Sequence, residues 1–362
     1  MTTSAGRRGY LDWLRGVAVL VMIEAHLLDS WTRFPDRQTR QFAYAMIVGG
    51  FGAPLFLFLA GVAVPLSAAA KLRRTGDIQS ATRAVAWRGL EVFGLAFLFR
   101  AQSWILGWGK ARDLLKVDIL NIMGPSIAVA AWMWGAVRSR RGRIALFAAA
   151  TVIISCATPG VRALPGLWLL PDPLEAYIRP AAGLSNFVIF PWMGFVFAGA
   201  VVGLIVEETR DLEAERRASL FFALAGSGLA FGAYKASFLP SLFPNSRFWT
   251  TSPTFFFLRV GILTAAVAAA YLWESRPGAA EKFSPLRQLG RTSLFIYWIH
   301  VEMVYGLISL DLHKSLSWPQ VWIAWALFSA FMLLCSLVKD RFVSWWNGTP
   351  VGFETEVRRM TS

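Results

Sequence analysis

The segment YLDWLRGVAVLVMIEAHLLDSW, residues 10–31, decides the fold class. It is long enough to cross a bilayer as one helix, since a span takes about 20 residues. Yet it carries Asp12, Arg15, Glu24, His26 and Asp29. An ionisable group at bilayer depth costs at least about 2.5–3.5 kcal/mol on insertion scales, which makes each one a functional candidate. Arg15 and His26 are eleven positions apart. At about 100° per residue that is close to three whole turns, so both project from one face, about 16 Å apart along the axis. Asp12, Val19 and Met22 share the stripe. His26 and Asp29 stand at i, i+3, so a carboxylate can reach the imidazole and fix its tautomer. Glu24 is a second carboxylate able to orient it.

Beyond this segment the chain keeps the same character. It has 362 residues, 56% hydrophobic and 16% charged, against roughly a quarter charged in soluble domains. Such a chain cannot cover a water-facing surface, and lipid is its solvent. Ten apolar windows are long enough to span, at 10–31, 43–66, 85–107, 118–137, 143–159, 185–206, 218–239, 252–273, 290–310 and 318–338. The expectation is an all-α polytopic membrane protein, a bundle of about ten helices forming one domain over residues 1–362. Arg7-Arg8 ahead of the first window could pass for a twin-arginine export signal. The charges that follow and the lack of a small-x-small cleavage site favour a retained helix.

Charge orients the bundle. The net charge of +14 would suggest nucleic acid in a soluble protein, but here the basic residues are spread over short loops rather than gathered in one patch. With the N-terminus inside, the inner segments hold 21 Lys and Arg and the outer ones 10. That two-to-one bias predicts both termini on the cytoplasmic side. The longest outer loop, 159–184, carries five prolines and is expected to lack regular helix. Cys156 and Cys335 lie in apolar runs and read as small hydrophobes. With three histidines and no HExxH or CxxC cluster, no metal site is expected.

Other windows also hold charge. The third carries Arg88, Glu91 and Arg100, with Arg88 and Glu91 paired at i, i+3. The fourth opens on Asp118 and Asn121, and Asp118 is the counter-charge available to Arg100. Lys235, Arg259, His300 and Glu302 follow. His300, in the middle of an apolar window, suits a neutral hydrogen-bonded role. In the second window Gly49, Gly50, Gly52 and Gly61 permit close helix approach, and Pro54 is placed to kink it.

Residues 10–31 resemble the opening helix of the transmembrane acyltransferases, namely the acyltransferase type 3 family and the related heparan-alpha-glucosaminide N-acetyltransferase-like proteins. The shared signature is Arg, ten residues, His: here Arg15 to His26. PLFLFLAG at 54–61, VDILNIMG at 117–124 and FPWMG at 190–194 look like the heparan-type branch. LGRTSLFIYWIH at 289–300 is similar to the late helix of both. Ala60 departs from the Ser that many type 3 members place before the glycine.

The resemblance implies acyl transfer across a bacterial inner membrane. The donor would be a cytoplasmic acyl-CoA, with acetyl-CoA the expected one, as co-substrate with no tightly bound cofactor. The acceptor would be a hydroxyl or amine of an outer-face glycan or glycolipid. The family's histidine falls on His26 and its arginine on Arg15. A neutral imidazole serves either as base or as acyl carrier, with Asp29 or Glu24 orienting it. The CoA phosphates and the developing oxyanion need cationic partners. Arg73, Arg74, Arg83 and Arg88 are candidates for binding CoA, and Arg100, Asp118, Asn121 and His300 for the substrate side. A rival reading of the same charges is a multi-pass transporter or flippase with an ion or substrate pathway.

Overall fold

The computed structural model describes residues 8–107, 110–278 and 282–347. Among them are thirteen α-helices: α1 (Gly9–Trp31), α2 (Arg40–Gly49), α3 (Gly52–Thr75), α4 (Ile78–Gly107), α5 (Ile119–Ala136), α6 (Arg140–Arg162), α7 (Asp172–Ile178), α8 (Ile189–Glu208), α9 (Leu212–Ala236), α10 (Pro253–Glu274), α11 (Pro285–Arg291), α12 (Ser293–Tyr305) and α13 (Trp318–Trp346). No strand occurs among the described residues, only isolated bridges at Thr32–Leu316 and Val117–Ser185. Seven stretches are long and apolar enough to cross a membrane: Arg40–Thr75, Ile78–Leu106, Ile119–Ala136, Arg140–Arg162, Ile189–Glu208, Pro253–Glu274 and Trp318–Trp346. The chain is an all-helical, multi-pass membrane protein. Leu98, Trp132, Ile153 and Leu327 are exposed on these helices, as lipid-facing side chains must be, because lipid tails are as apolar as leucine.

Three local expectations change. The window 43–66 is interrupted at Gly50-Phe51, so Pro54 sits in the first turn of α3 instead of kinking a helix interior; a first-turn proline removes no helical hydrogen bond. The window 290–310 divides into α11 and α12 around Thr292. The proline-rich stretch contains α7, with Pro173 inside its first turn. Proline is tolerated there because that turn's N–H groups have no intrahelical partner. Its density therefore did not exclude a helix.

Two compact units share the chain. One comprises residues 1–52 and 276–362 and carries α1, α2, α11, α12 and α13; the other, 53–275, carries α3 to α10. In the first, α1 is the central element and touches the other four helices. Its crossing with α11 is a backbone contact: a methyl at Gly16 would collide with the Leu286 carbonyl, and one at Gly290 with the Asp12 carbonyl. The C-terminal carbonyls of α1 find donors outside the helix. Lys314 N–H bonds Ser30 O at 2.9 Å and Leu316 N–H bonds Trp31 O at 2.9 Å. Without such partners these groups would stand bare at a helix end.

The second unit is built on the same close approach. Gly89 of α4 abuts Gly124 of α5, and Gly226 of α9 abuts Gly261 and Ala265 of α10. Small residues let helices pack by van der Waals contact where no hydrophobic drive separates lipid from protein. Asp118 caps α5, its Oδ1 accepting the Ile119 N–H at 2.7 Å while Asn121 Oδ1 accepts the Asp118 N–H at 2.9 Å. Ser139 caps α6, and Asp211 caps α9.

Candidate active site

His26 lies on the penultimate turn of α1 and His300 on α12, both in the first unit. His26 Nδ1 and His300 Nε2 are 2.8 Å apart. The ring centroids are 5.1 Å apart and the planes differ by 11°. The nitrogens are much closer than the centroids, so the rings lie edge to edge in a common plane, the orientation an N–H···N bond requires. His300 is fully buried, and its Nδ1 is 2.8 Å from Ile296 O.

These contacts assign the protons. A carbonyl only accepts, so His300 Nδ1 carries a hydrogen and donates to Ile296 O. In the neutral ring His300 Nε2 is then the acceptor. His26 Nδ1 must donate to it, which puts the lone pair of neutral His26 on Nε2. That is the tautomer a base or nucleophile needs, set by the bond the other nitrogen makes. His26 is half-buried, at the accessible end of the relay. The Tyr305 ring meets it edge-on at 5.5 Å.

Asp29 gathers a polar cluster one turn further on. Its Oδ1 accepts from Arg37 Nη2 at 3.0 Å and its Oδ2 from Tyr305 O–H at 3.1 Å. Arg37 Nη1 and Lys314 Nζ both donate to the Asp29 carbonyl oxygen. The carboxylate thus ties Arg37 and Tyr305 beside the imidazole. Glu24 is buried on α1, but two residues from His26 it lies about 200° round the helix.

Arg15 lies near the other end of α1. Its Nη1 donates to Asp12 Oδ1 at 3.0 Å, and Arg291 Nε approaches Asp12 Oδ2 at 3.9 Å. The Asp12 side chain is buried, so the two arginines converge on a carboxylate held out of water.

The other candidates lie in the second unit. Arg100 Nη2 meets Asp118 Oδ2 at 2.5 Å, both side chains largely buried. Asn121 Nδ2 donates to the Tyr177 hydroxyl at 3.2 Å, and burial raises the Tyr177 phenol above its ordinary pKa. Arg100, Asp118 and Asn121 are thus one connected group. Arg73, Arg74, Arg83 and Arg88 are exposed. Arg73 pairs with Glu207 and Arg88 with Glu91, each at 2.8 Å.

Arg37, Tyr305 and Lys314 were not among the sequence candidates. A signal for two of them existed: Arg37 and Lys314 are cations in segments assigned to the outer side, where the bias against Lys and Arg makes each an exception.

None of the curated proteins compared with the chain matches it. The family model for heparan-alpha-glucosaminide N-acetyltransferase, catalytic, matches residues 7–231. The matched stretch takes in Arg15, His26, Arg100 and Asp118 and ends before His300. Covering well over half of the sequence, it shows that the chain belongs to the heparan-alpha-glucosaminide N-acetyltransferase catalytic family.

Proposed function

We propose that this membrane acetyltransferase moves an acetyl group from cytoplasmic acetyl-CoA to a hydroxyl or amine of a sugar-containing acceptor on the outer face of a bacterial inner membrane. The carrying observation is the His26–His300 hydrogen bond. His26 Nε2 takes the proton of the acceptor as its oxygen or nitrogen attacks the thioester carbonyl. The C–S bond then breaks, and the CoA thiolate receives a proton. The imidazolium formed on His26 is stabilised through its Nδ1–H by His300, which stands where a carboxylate stands in a Ser-His-Asp triad. Asp29 acts beside it by holding Arg37 and Tyr305 in place.

The reading places all ten windows across the bilayer, with α11 and α12 together making the ninth crossing and both termini inside. His26 then faces outward and Arg15 lies toward the cytoplasm, about 16 Å away along α1. Arg73, Arg74, Arg83 and Arg88 bind the CoA phosphates as charge-assisted donors. Arg100, Asp118 and Asn121 serve the acceptor.

The test is acetyl transfer from radiolabelled acetyl-CoA in membranes carrying correctly inserted His26→Ala. Loss of both transfer and CoA release is expected. Undiminished turnover removes His26 from the chemistry. Substrate flux across the wild-type membrane without any CoA release favours the transporter reading instead.

A further inference from the structure

One cleft of the second unit takes no part in the groups described so far. It lies where the C-terminal end of α6 meets the N-terminal ends of α8 and α10, and its volume is about 200 Å³. Arg162 and Arg259 line it together with Trp192, Phe195, Trp249 and Ser252. No Asp or Glu is among its lining residues. Two guanidiniums share one small cavity with no carboxylate in its wall, and Arg259 lies inside the window 252–273, where a cation is expensive to hold.

The cations are held in place. Arg162 donates through Nε and Nη2 to Phe190 O at 2.9 and 2.5 Å, which fixes the guanidinium plane. Arg259 lies over the Phe255 ring, 4.0 Å from its centroid. The opening turns of α8 and α10 add to the positive field. Neither receives a side-chain cap, and helix N-termini favour anions. The remaining wall is aromatic. Trp192 and Phe195 form one side, and Trp249 is exposed at the rim, an amphipathic surface suited to a sugar ring or a glycerol backbone.

We propose that this cleft binds a phosphate ester of net negative charge, its anion held between Arg162 and Arg259 and its body set against Trp192 and Trp249, so that a zwitterionic headgroup, whose cation the two guanidiniums repel, is refused. The volume admits a headgroup or a small sugar phosphate and excludes a whole acyl-CoA. The two sources of that chemistry are an anionic lipid, with its chains left in the bilayer, and a free phosphate monoester.

The experiment uses the full chain in phosphatidylcholine nanodiscs. Native mass spectrometry and thermal shift are recorded with short-chain phosphatidylglycerol, short-chain phosphatidylcholine and glycerol 3-phosphate as probes. Phosphatidylglycerol is expected to bind and raise the midpoint, and phosphatidylcholine is not. Arg259→Gln and Arg162→Gln should each weaken binding at least about tenfold, because a charge-assisted hydrogen bond is worth about 1.5–3 kcal/mol, while Arg259→Lys retains most of it. Equal affinity for glycerol 3-phosphate assigns the site to free phosphate esters; binding of the lipid alone assigns it to the headgroup. Should the Gln variants not fold, Trp249→Leu at the rim gives the same reading, with weaker phosphatidylglycerol binding and an unchanged midpoint in its absence. Equal binding of both lipids, no binding of either anionic probe, or full affinity in a folded Arg162→Gln/Arg259→Gln or Trp249→Leu protein overturns the proposal.

Discussion

His26 and His300 are separated by 274 positions in the chain and by 2.8 Å in the fold. Their hydrogen bond continues to Ile296 O, so the proton on each ring is dictated by a backbone carbonyl that cannot donate.

That relay predicts unequal effects at its two ends. His26→Ala removes the proposed base and should lower kcat by about 10²–10⁴-fold, the usual worth of general base catalysis. His300→Gln keeps an acceptor for His26 Nδ1–H and should retain far more activity than His300→Leu, with KM for acetyl-CoA unchanged in both. Steady-state kinetics on the purified variants checks this. Equal losses in His300→Gln and His300→Leu would show that the bond to His26 does not matter.

Arg100 and Asp118 are largely buried and 2.5 Å apart. Asp118→Leu leaves a guanidinium without this counter-charge and removes the cap of α5, a combined loss of about 3–5 kcal/mol. The double variant with Arg100→Leu should recover part of it, because no isolated charge is then left in place. Thermal unfolding in detergent of both single variants and the double variant gives the coupling.

The glycines separate by what surrounds them. Gly16 faces the Leu286 carbonyl, whereas nothing lies within 4 Å of a methyl built at Gly94. Gly16→Ala should destabilise by about 1–3 kcal/mol through overpacking. Gly94→Ala in α4 should be neutral or stabilise by up to about 1 kcal/mol, the propensity difference. Relative unfolding midpoints decide, and a tolerated Gly16→Leu would contradict the backbone contact.

Asp36 bridges the segment after α1 to the start of α13. It accepts from Arg33 Nε and from the Trp318 N–H, each at 2.8 Å. The Arg33 hydrogen bond is the main cause that holds its pKa below the ordinary 3.8. A carboxylate lowered in the folded state contributes stability above its unfolded value and loses it as pH falls through the folded one. The unfolding midpoint should therefore drop below about pH 4, and Asp36→Asn should remove that part of the drop.

The helical, membrane-bound character was legible because it rests on window length and composition, which single residues barely disturb. Arg15 and His26 were legible as a pair because both sit on one helix, where spacing alone determines the face. His300 could be read as a buried neutral histidine, and its Nδ1 does bond a backbone carbonyl. Its contact with His26 could not be read, since a pairing across 274 positions leaves no local pattern. The break at Gly50-Phe51 was hidden inside an apolar run, where hydropathy does not register a helix interruption, and the one at Thr292 fell at the polar edge of the window 290–310.

The end of α1 depends on the far end of the chain. Lys314, held at a φ of 56° that costs a non-glycine residue about 1–2 kcal/mol, reaches both Asp29 and Ser30, and Leu316 closes on Trp31. The stretch that identifies the family, 7–231, contains His26 but neither the ring that sets its tautomer nor the segment that seals its helix. A gene cut after residue 231 would thus encode the family signature without His300, Lys314 or Leu316.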